Sequence, residues 1–357
     1  MRHSVRRTPD TGTGEATRRP PPSRIGPRGL LPFVLAWNAA CESRVASTTG
    51  ADPDPSGTDA VITAEEIGAH VGFLAQDALR GRATPSPGLD IAATYVASVF
   101  AGLGLADPAG GFIQRYAIAD DDAARAPNVV AILEGEDPRL RDTFVVFSAH
   151  LDHVGTGPPD AQGDSIYNGA DDDASGVAAV LEIAEAFTAL PGRPARSVAF
   201  VTVSGEELGL LGSKAFLESG LVPASGIVAN INIDMIGRNA RDTVVVIGRA
   251  YSTLGPLADR IAAAHPELGL TVVDDPWPDE QFFFRSDHYN FAAAGVPALF
   301  LFSGVHDDYH RPSDHADRID TGKAARIASF AFRLGLAVAQ AAAAPAWTAL
   351  GRREVLR

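Results

Sequence analysis

From residue 128 onward, the sequence alternates short apolar, β-branched runs with stretches that have helical periodicity. This alternation is typical of an α/β fold in which helices connect the strands of a largely parallel sheet. Several runs are apolar throughout, as expected for strands that are covered on both faces. We therefore predict a three-layer α/β/α domain with a central mixed, mostly parallel twisted sheet. Its predicted strands are residues 129–133, 144–147, 198–203, 227–233, 244–247 and 298–302.

Four of these runs are followed closely by residues of the types that bind metal ions, namely His, Asp and Glu. These side chains are His150, Asp152 and His153 after the second run, Glu206 and Glu207 after the third, Asp234 after the fourth, and His306, Asp307, Asp308, His310 and Asp314 after the sixth. Because open α/β sheets bind ligands outside the carboxyl ends of their strands, we expect these side chains to converge on one site. Imidazole and carboxylate ligands suit zinc. The single cysteine, Cys41, excludes a disulfide within the chain and a cysteine-ligated zinc site.

Residues 168–176, with the sequence NGADDDASG, place three consecutive carboxylates just before a stretch with helical spacing. An isolated acidic triplet is most often a solvated turn at the start of a helix. Here, however, the chain offers more carboxylates than a single four-coordinate zinc can use. We therefore favour a two-metal site that is bridged by a central carboxylate from this triplet.

Six motifs, in this order along residues 128–335, resemble the co-catalytic di-zinc aminopeptidases, zinc-metallopeptidase family twenty-eight. The motifs are AHLDHVG, NGADDDASG, SGEELGLLGS, INIDMIGR, RSDHYNF and YHRPSD. Relatives in this family include glutamate carboxypeptidase, glutaminyl cyclase and the transferrin receptor. The resemblance implies the zinc-exopeptidase fold, which is phosphorylase/hydrolase-like. It also implies hydrolysis of the N-terminal residue of peptides with a free N-terminus.

The resemblance further implies a metal site with two Zn²⁺ ions per chain. Asp171 would bridge the two ions. One ion would be completed by His150 and Asp234, and the other by Glu207 and His310. A cis peptide bond would lie within the acidic triplet, between Asp171 and Asp172.

Two further residues receive catalytic roles from the same resemblance. Glu206 would be the general base that takes a proton from the attacking water. Asp152 would accept the N–H of His150 and so fix the tautomer of that ligand. His153, three residues after His150, is interpreted as a packing residue or as support for a ligand.

The predicted substrate-binding residues are Phe283, Arg285 and Tyr309. In some members of the family, a tyrosine three residues before the Ser-Asp-His motif binds the developing oxyanion. Phe283 stands at that position here, so Tyr289, Tyr309 or Arg285 would replace the tyrosine, or the zinc alone would suffice. We favour an apolar side-chain pocket as the interpretation of the three phenylalanines at 282–284.

Residues 1–41 have the pattern of an export signal, with an arginine-rich start and an apolar run over residues 29–40. That run is too short to span a bilayer as a helix. Ala39-Ala40-Cys41 resembles a lipoprotein cleavage site, so a lipid on Cys41 is one option. The predicted location is therefore periplasmic, secreted or lipid-anchored at the cell envelope. A disordered cytoplasmic tail is the alternative.

The remaining predicted boundaries are a flexible linker over 42–60, a single catalytic domain over 61–345 that includes the N-terminal helices, and a C-terminal tail over 346–357. The net charge of −14 argues against nucleic acid and anionic membranes as partners. Membrane attachment would therefore depend on a lipid at Cys41. Two alternative functions stay open: a glutaminyl-cyclase-like acyltransferase with one zinc, and a receptor-like binding domain without catalysis. The intact ligand set and Glu206 argue against both.

Overall fold

In a computed structural model that describes residues 61–118 and 124–356, the first described helix starts at a capping pair, Thr63 and Glu66. In α1 (Ala64–Leu74), the Thr63 hydroxyl accepts a hydrogen bond from the Glu66 N–H at 3.1 Å and donates one to the Glu66 carboxylate at 2.8 Å. α2 (Pro87–Gly102) starts after Ser86, whose hydroxyl caps it, and Pro87 suits a first helical position. The predictions for residues 1–60, including the export signal and Cys41, lie outside the described residues.

The strands of the described chain include all six predicted runs. They are β1 (Ile113–Ala117), β2 (Arg125–Leu133), β3 (Phe144–His150), β4 (Gly155–Thr156), β5 (Ile166–Tyr167), β6 (Ser197–Val203), β7 (Ile227–Ile233), β8 (Thr243–Ile247), β9 (Thr271–Val273) and β10 (Ala298–Phe302). β4 and β5 form a separate two-stranded ribbon. The prediction missed four short strands, which are β4 and β5 of the ribbon and the edge strands β1 and β9.

The other eight strands form a sheet in the order β1-β2-β6-β3-β7-β10-β8-β9. Its four central strands, β6, β3, β7 and β10, are parallel to one another. Antiparallel pairs flank them on both sides. The predicted mixed, mostly parallel sheet is therefore confirmed. His150 pairs with Val203, so β3 and β6 end level with each other.

The described helices cover both faces of this sheet. Those after α2 are α3 (Gly176–Thr188), α4 (Leu211–Ser219), α5 (Leu254–Ala264), α6 (His288–Ala293), α7 (Thr321–Gln340) and α8 (Ala349–Glu354). α1, α2, α3, α5 and α7 share one apolar core with the sheet. α4 and α6 pack on the opposite face, where the rings of Phe216 and Phe291 lie 5.9 Å apart. Among the described helices, none combines the length and apolar composition that a membrane span requires.

Residues 346–357 do not form the predicted tail over their described part. Trp347 is only 8% exposed, and its indole N–H donates to the Gly295 carbonyl at 2.8 Å. α8 follows directly, capped by the Thr348 hydroxyl. An alanine-rich stretch precedes these residues and makes the end of the sequence look like a tail, yet the tryptophan anchors the chain to the apolar core that includes Phe283 and Phe300.

Candidate metal centre

The central strands bring their polar ends to one edge of the sheet. β3 ends at His150, β6 leads into Glu206 and Glu207, and β7 leads into Asp234. The loop after β10 carries His310. Because these strands are parallel neighbours, their carboxyl ends open on the same side, as the sequence predicts.

Two groups of potential metal donors meet at this edge. In the first group, His150 Nε2 lies 3.0 Å from Asp172 Oδ1 and 3.6 Å from Asp234 Oδ1. In the second group, His310 Nε2 lies 3.1 Å from Asp172 Oδ2 and 3.2 Å from Glu207 Oε1. Asp172 thus offers one carboxylate oxygen to each group.

His153 belongs to the second group, which corrects its interpretation as a packing or supporting residue. Its Nδ1 lies 3.0 Å from Glu207 Oε1 and 3.5 Å from Asp172 Oδ2. The ring is buried, and it meets the ring of His310 edge to face at 5.4 Å. The sequence signal was its position after a strand end, in the same loop as His150. A histidine at that spacing is also common in packed loops, so the pattern did not separate the two roles.

The carboxylate that both donor groups share is that of Asp172, not that of Asp171 as predicted. Asp171 Oδ1 accepts a hydrogen bond from the Gly237 N–H at 2.6 Å, and Asp171 Oδ2 faces His306 Nε2 at 3.2 Å. The cis peptide bond is likewise Asp172–Asp173, one residue later than predicted. The chain winds through a tight turn over Ala170–Ser175, so successive carboxylates point in different directions and only the middle one faces both donor groups.

Neighbouring residues hold this turn in place. The Asp314 carboxylate accepts hydrogen bonds from the N–H groups of Asp171 and Asp172 at 3.0 and 3.2 Å. Asp173 accepts from the N–H groups of His150 and Met235 at 3.1 and 3.2 Å. The acidic triplet is therefore tied to the ends of β3 and β7 through its own flanking carboxylates.

The donor atoms fit a cation because several of them converge in buried positions without a hydrogen bond. Among the described residues, both ring nitrogens of His153, Asp172 Oδ2, Glu207 Oε1 and Asp234 Oδ1 are buried without a hydrogen-bond partner. Buried polar atoms without a hydrogen bond are costly, and the facing nitrogen and oxygen atoms lie only 3.0–3.6 Å apart. A bound metal ion would be coordinated by these atoms together and would satisfy them. Imidazole nitrogens and carboxylate oxygens without thiolates are the donors that suit zinc in such sites.

His150 is oriented for ligation by a backbone carbonyl. Its Nδ1 lies 3.1 Å from the Asp152 carbonyl oxygen, which only accepts hydrogen bonds, so Nδ1 carries the proton and Nε2 faces the donor group. The Asp152 carboxylate is 3.8 Å from that nitrogen, too far for the predicted hydrogen bond. It accepts instead from the Thr84 hydroxyl at 2.8 Å and from the Glu206 N–H at 3.3 Å. Asp152 therefore links the His150 loop to the Glu206 loop.

Glu206 borders the same cleft as His150, Asp172 and Asp234. Burial raises the pKa of its carboxyl well above the usual value, and the nearby carboxylates of Asp287 and Asp234 add to the increase against an opposing effect of His150. Glu206 belongs to neither donor group. A carboxyl group beside a metal centre, with a raised pKa and no ligand role, is suited to proton transfer.

The predicted substrate-binding residues are only partly in the cleft. Arg285 and Tyr309 line it, together with Phe282 and Phe302. Phe283 does not; it is 3% exposed and packs edge to face on Tyr251 and His288 at 4.7 and 4.9 Å. Its predicted substrate contact is therefore wrong, since the short helical turn Phe282–Phe284 directs Phe282 to the cleft and Phe283 into the core.

Tyr309 stacks on His310 with the ring centroids 3.9 Å apart. Burial raises the pKa of its hydroxyl above the usual value, and the carboxylates of Asp172 and Glu207 raise it further. The phenol therefore stays protonated and is a hydrogen-bond donor at neutral pH. Tyr289, another predicted alternative, packs against Phe284 outside the residues that line the cleft.

Comparison with known proteins identifies the family. The model of Peptidase family M28 matches residues 128–334, which is more than half of the chain. A "Probable leucine aminopeptidase" of Arthroderma otae is 28% identical over 233 residues, covering 60% of this chain and 59% of the relative. A "Probable lipoprotein aminopeptidase LpqL" of Mycobacterium tuberculosis is 27% identical over 341 residues, covering 87% of this chain and 57% of the relative. The chain thus spans less than two thirds of the length of these curated relatives.

Among solved structures, the aminopeptidase from Aneurinibacillus sp. strain AM-1 matches with a TM-score of 0.60 at 17% identity, covering 80% of this chain and 96% of that structure. At this identity the likeness supports the fold. The ordered motifs, the paired donor groups at the carboxyl ends of the central strands and the family match all agree, and the chain belongs to peptidase family M28.

Proposed function

We propose that this protein is a zinc aminopeptidase that binds two Zn²⁺ ions and hydrolyses the N-terminal residue of peptides. The observation that carries the proposal is the pair of donor groups that share Asp172, with Glu206 beside them in the same cleft. His150 and Asp234 would complete one ion. His153, Glu207 and His310 would complete the other.

When bound, two zinc ions lower the pKa of a shared water and polarise the scissile carbonyl group. Glu206 accepts a proton from the attacking water and passes it to the leaving amine, as its position and raised pKa support. The water oxygen bonds to the carbonyl carbon, the C–N bond breaks, and the amine leaves with the proton. The Tyr309 hydroxyl donates a hydrogen bond to the developing oxyanion, the role that Phe283 lacks the chemistry to fill.

The apolar side of the cleft indicates the preferred N-terminal residue. Phe282, Phe300, Phe302 and Met235 line the cleft together with the carboxylates. An apolar side chain buried there gains the free energy of leaving water, whereas a charged one loses its hydration. We therefore propose peptides with apolar N-terminal residues and a free α-amine as substrates.

The decisive experiment measures zinc content and hydrolysis of aminoacyl p-nitroanilides for wild type and for Glu206→Gln. We expect about two zincs per chain in both proteins, with hydrolysis only in wild type. Glu218→Gln, which removes an exposed glutamate from α4, is the matched control and stays active. N-acetylation of the substrate should abolish cleavage.

Other outcomes separate the alternatives. The acyltransferase is supported if the protein contains one zinc per chain and converts peptides with N-terminal glutamine into cyclic products, with release of ammonia. Peptide binding without turnover in wild type supports the receptor-like domain. Full hydrolytic activity in Glu206→Gln contradicts the assignment of the base.

We also propose that the protein is exported and acts at the cell envelope. The support is the signal-like pattern of residues 1–41, together with the name of the lipoprotein aminopeptidase LpqL among the relatives. Cell fractionation of wild type and Cys41→Ser tests this. Loss of membrane association in the variant supports a lipid on Cys41, whereas recovery of both proteins in the cytoplasm contradicts export.

A further inference from the structure

A short segment that precedes the family match lies directly against the metal centre. Residues 82–84, called the strap below, follow α1 and pass beside the loops that carry the donor residues. Gly81 has a φ of 67° and lies so close to the carbonyls of Gly155 and Tyr167 that a side chain would overlap them. A side chain at Gly155 would likewise overlap Ala83, so the strap and the residue before it pack tightly against the ribbon of β4 and β5.

Arg82 is 1% exposed and directs its guanidinium group at carbonyl oxygens of the donor loops. Nε donates to Leu151 O at 2.8 Å, and Nη1 and Nη2 donate to Asn168 O and Gly169 O at 2.7 and 3.0 Å. Nη1 also donates to Leu74 O at the end of α1. Leu151 lies between His150 and His153, and Gly169 begins the turn that presents Asp172. One side chain therefore connects the two loops that carry the bridging carboxylate and both histidines.

Other atoms of the strap extend these connections. The Arg82 carbonyl accepts from the His153 N–H at 3.3 Å. The Thr84 hydroxyl donates to Asp152 Oδ2 at 2.8 Å and accepts from the Gly205 N–H at 3.1 Å. Gly205 immediately precedes Glu206 and Glu207. All three loops that meet at Asp172 are therefore hydrogen-bonded to two residues of the strap, Arg82 and Thr84.

The charge of Arg82 suits this position. A buried guanidinium is costly unless its donors are satisfied and negative charge lies nearby. Burial lowers its pKa, while the carboxylates of Asp152, Asp172, Asp173 and Asp314 raise it. A cation here offsets repulsion among these carboxylates while the metal is absent. A neutral side chain of similar size would lose both the hydrogen bonds and this compensation.

We propose that the strap is a positioning element of the metal centre, in which Arg82 and Thr84 hold the His150, Asp172 and Glu207 loops in the arrangement that binds two metal ions. This inference rests on the proposed two-zinc site. Arg82 and Thr84 are positioning residues that act through the ligands. Their removal therefore weakens metal binding rather than removing a donor atom.

The test compares Arg82→Gln, Arg82→Lys and Thr84→Val with wild type. Arg80→Gln is the matched control, because Arg80 lies two residues before Arg82, outside the strap, and is exposed. Zinc affinity of the metal-free proteins is measured by competition with a chromophoric chelator, and their melting temperatures are measured without zinc. We expect Arg82→Gln to lower zinc affinity about 10- to 100-fold, the range for residues that orient metal ligands. Arg82→Lys, which keeps the charge but cannot reach all the carbonyls, recovers part of the loss.

Thr84→Val keeps the shape of the side chain and removes both of its hydrogen bonds. If Arg82→Gln fails to fold, this variant tests whether the strap positions the metal ligands. We expect it to lower zinc affinity about 10-fold at an unchanged melting temperature of the metal-free protein. Wild-type zinc affinity in folded Thr84→Val, or a lower melting temperature at unchanged affinity, overturns the inference. A wild-type protein that binds no zinc pair overturns the proposed function as well, whereas two zincs bound with wild-type affinity in every variant overturn only the role of the strap.

Discussion

Ser286 offers a test of how the centre holds one of its two ions. Its hydroxyl, 2% exposed, donates to Asp234 Oδ2 at 2.8 Å and accepts from Asn232 Nδ2 at 2.9 Å. Asp234 Oδ1 is then left to face His150. We predict that Ser286→Ala weakens zinc binding at the group formed by His150, Asp172 and Asp234. Binding at the group that contains His310 should change little.

The magnitude follows from the lost hydrogen bond. A hydrogen bond to a charged group contributes about 1.5–3 kcal/mol, and in this buried place its removal leaves Asp234 Oδ2 and Asn232 Nδ2 without a partner. Since about 1.4 kcal/mol corresponds to a factor of ten, the affinity for one zinc should fall about 10- to 100-fold.

The assay is chelator competition on the metal-free protein, which resolves the tighter and the weaker zinc as two phases. Ser329→Ala is the control, because this serine in α7 is also buried and its hydroxyl donates only to the Ala325 carbonyl among its described contacts. Wild-type affinity for both ions in Ser286→Ala refutes the reasoning. Selective loss of the ion at His310, with the other ion retained, refutes it as well.

Three further predictions concern the bridge, the oxyanion and acid stability. Asp172→Asn should lose hydrolysis and bind fewer than two zincs. Asp171→Asn should keep both ions, because the Asp171 side chain faces Gly237. Metal analysis that finds the reverse contradicts the proposal that Asp172 is the bridge. Tyr309→Phe should lower kcat about 100-fold with little change in KM, as steady-state kinetics will show; an unchanged kcat removes the oxyanion role. Burial lowers the pKa of His288 to about 3, so the folded state stays neutral while the unfolded state binds a proton as the pH falls below about 6.5. Between pH 7 and pH 5, the free energy of unfolding of wild type, measured with urea, should therefore fall by about 2 kcal/mol more than that of His288→Phe. An equal fall in both proteins contradicts this prediction.

Much of the fold could be predicted from the sequence, because the patterns that indicate strands and helix starts are local. The six apolar runs became strands at the predicted places, and the Thr63–Glu66 capping pair marks the start of α1. A strand that is buried on both faces needs apolar side chains on both faces. Its apolar pattern can therefore be recognised in the sequence without knowing which strands pair with it. The short edge strands β1 and β9 lack that constraint, and they were missed.

The site could be predicted at the level of its loops but not of every atom. Parallel strands must open at a common edge, so His150, Glu207, Asp234 and His310 were expected to meet. Which carboxylate of the triplet faces them depends on how the peptide planes turn between residues 170 and 175, and three identical residues carry no signal about that. His153 was misjudged for the same reason, since its role depends on the direction of one loop.

The sequence by itself thus determined the α/β architecture, the edge of the sheet that carries the chemistry, and the imidazole and carboxylate donors that suit zinc. Only the tertiary structure decided that Asp172 lies between the two donor groups, that Phe282 rather than Phe283 lines the cleft, and that Arg82 connects the donor loops. The contacts of Arg82 with Leu151 and Gly169 join residues 69 and 87 positions apart. Periodicity reports the environment of a segment within a few residues, whereas such contacts exist only once the whole chain has packed.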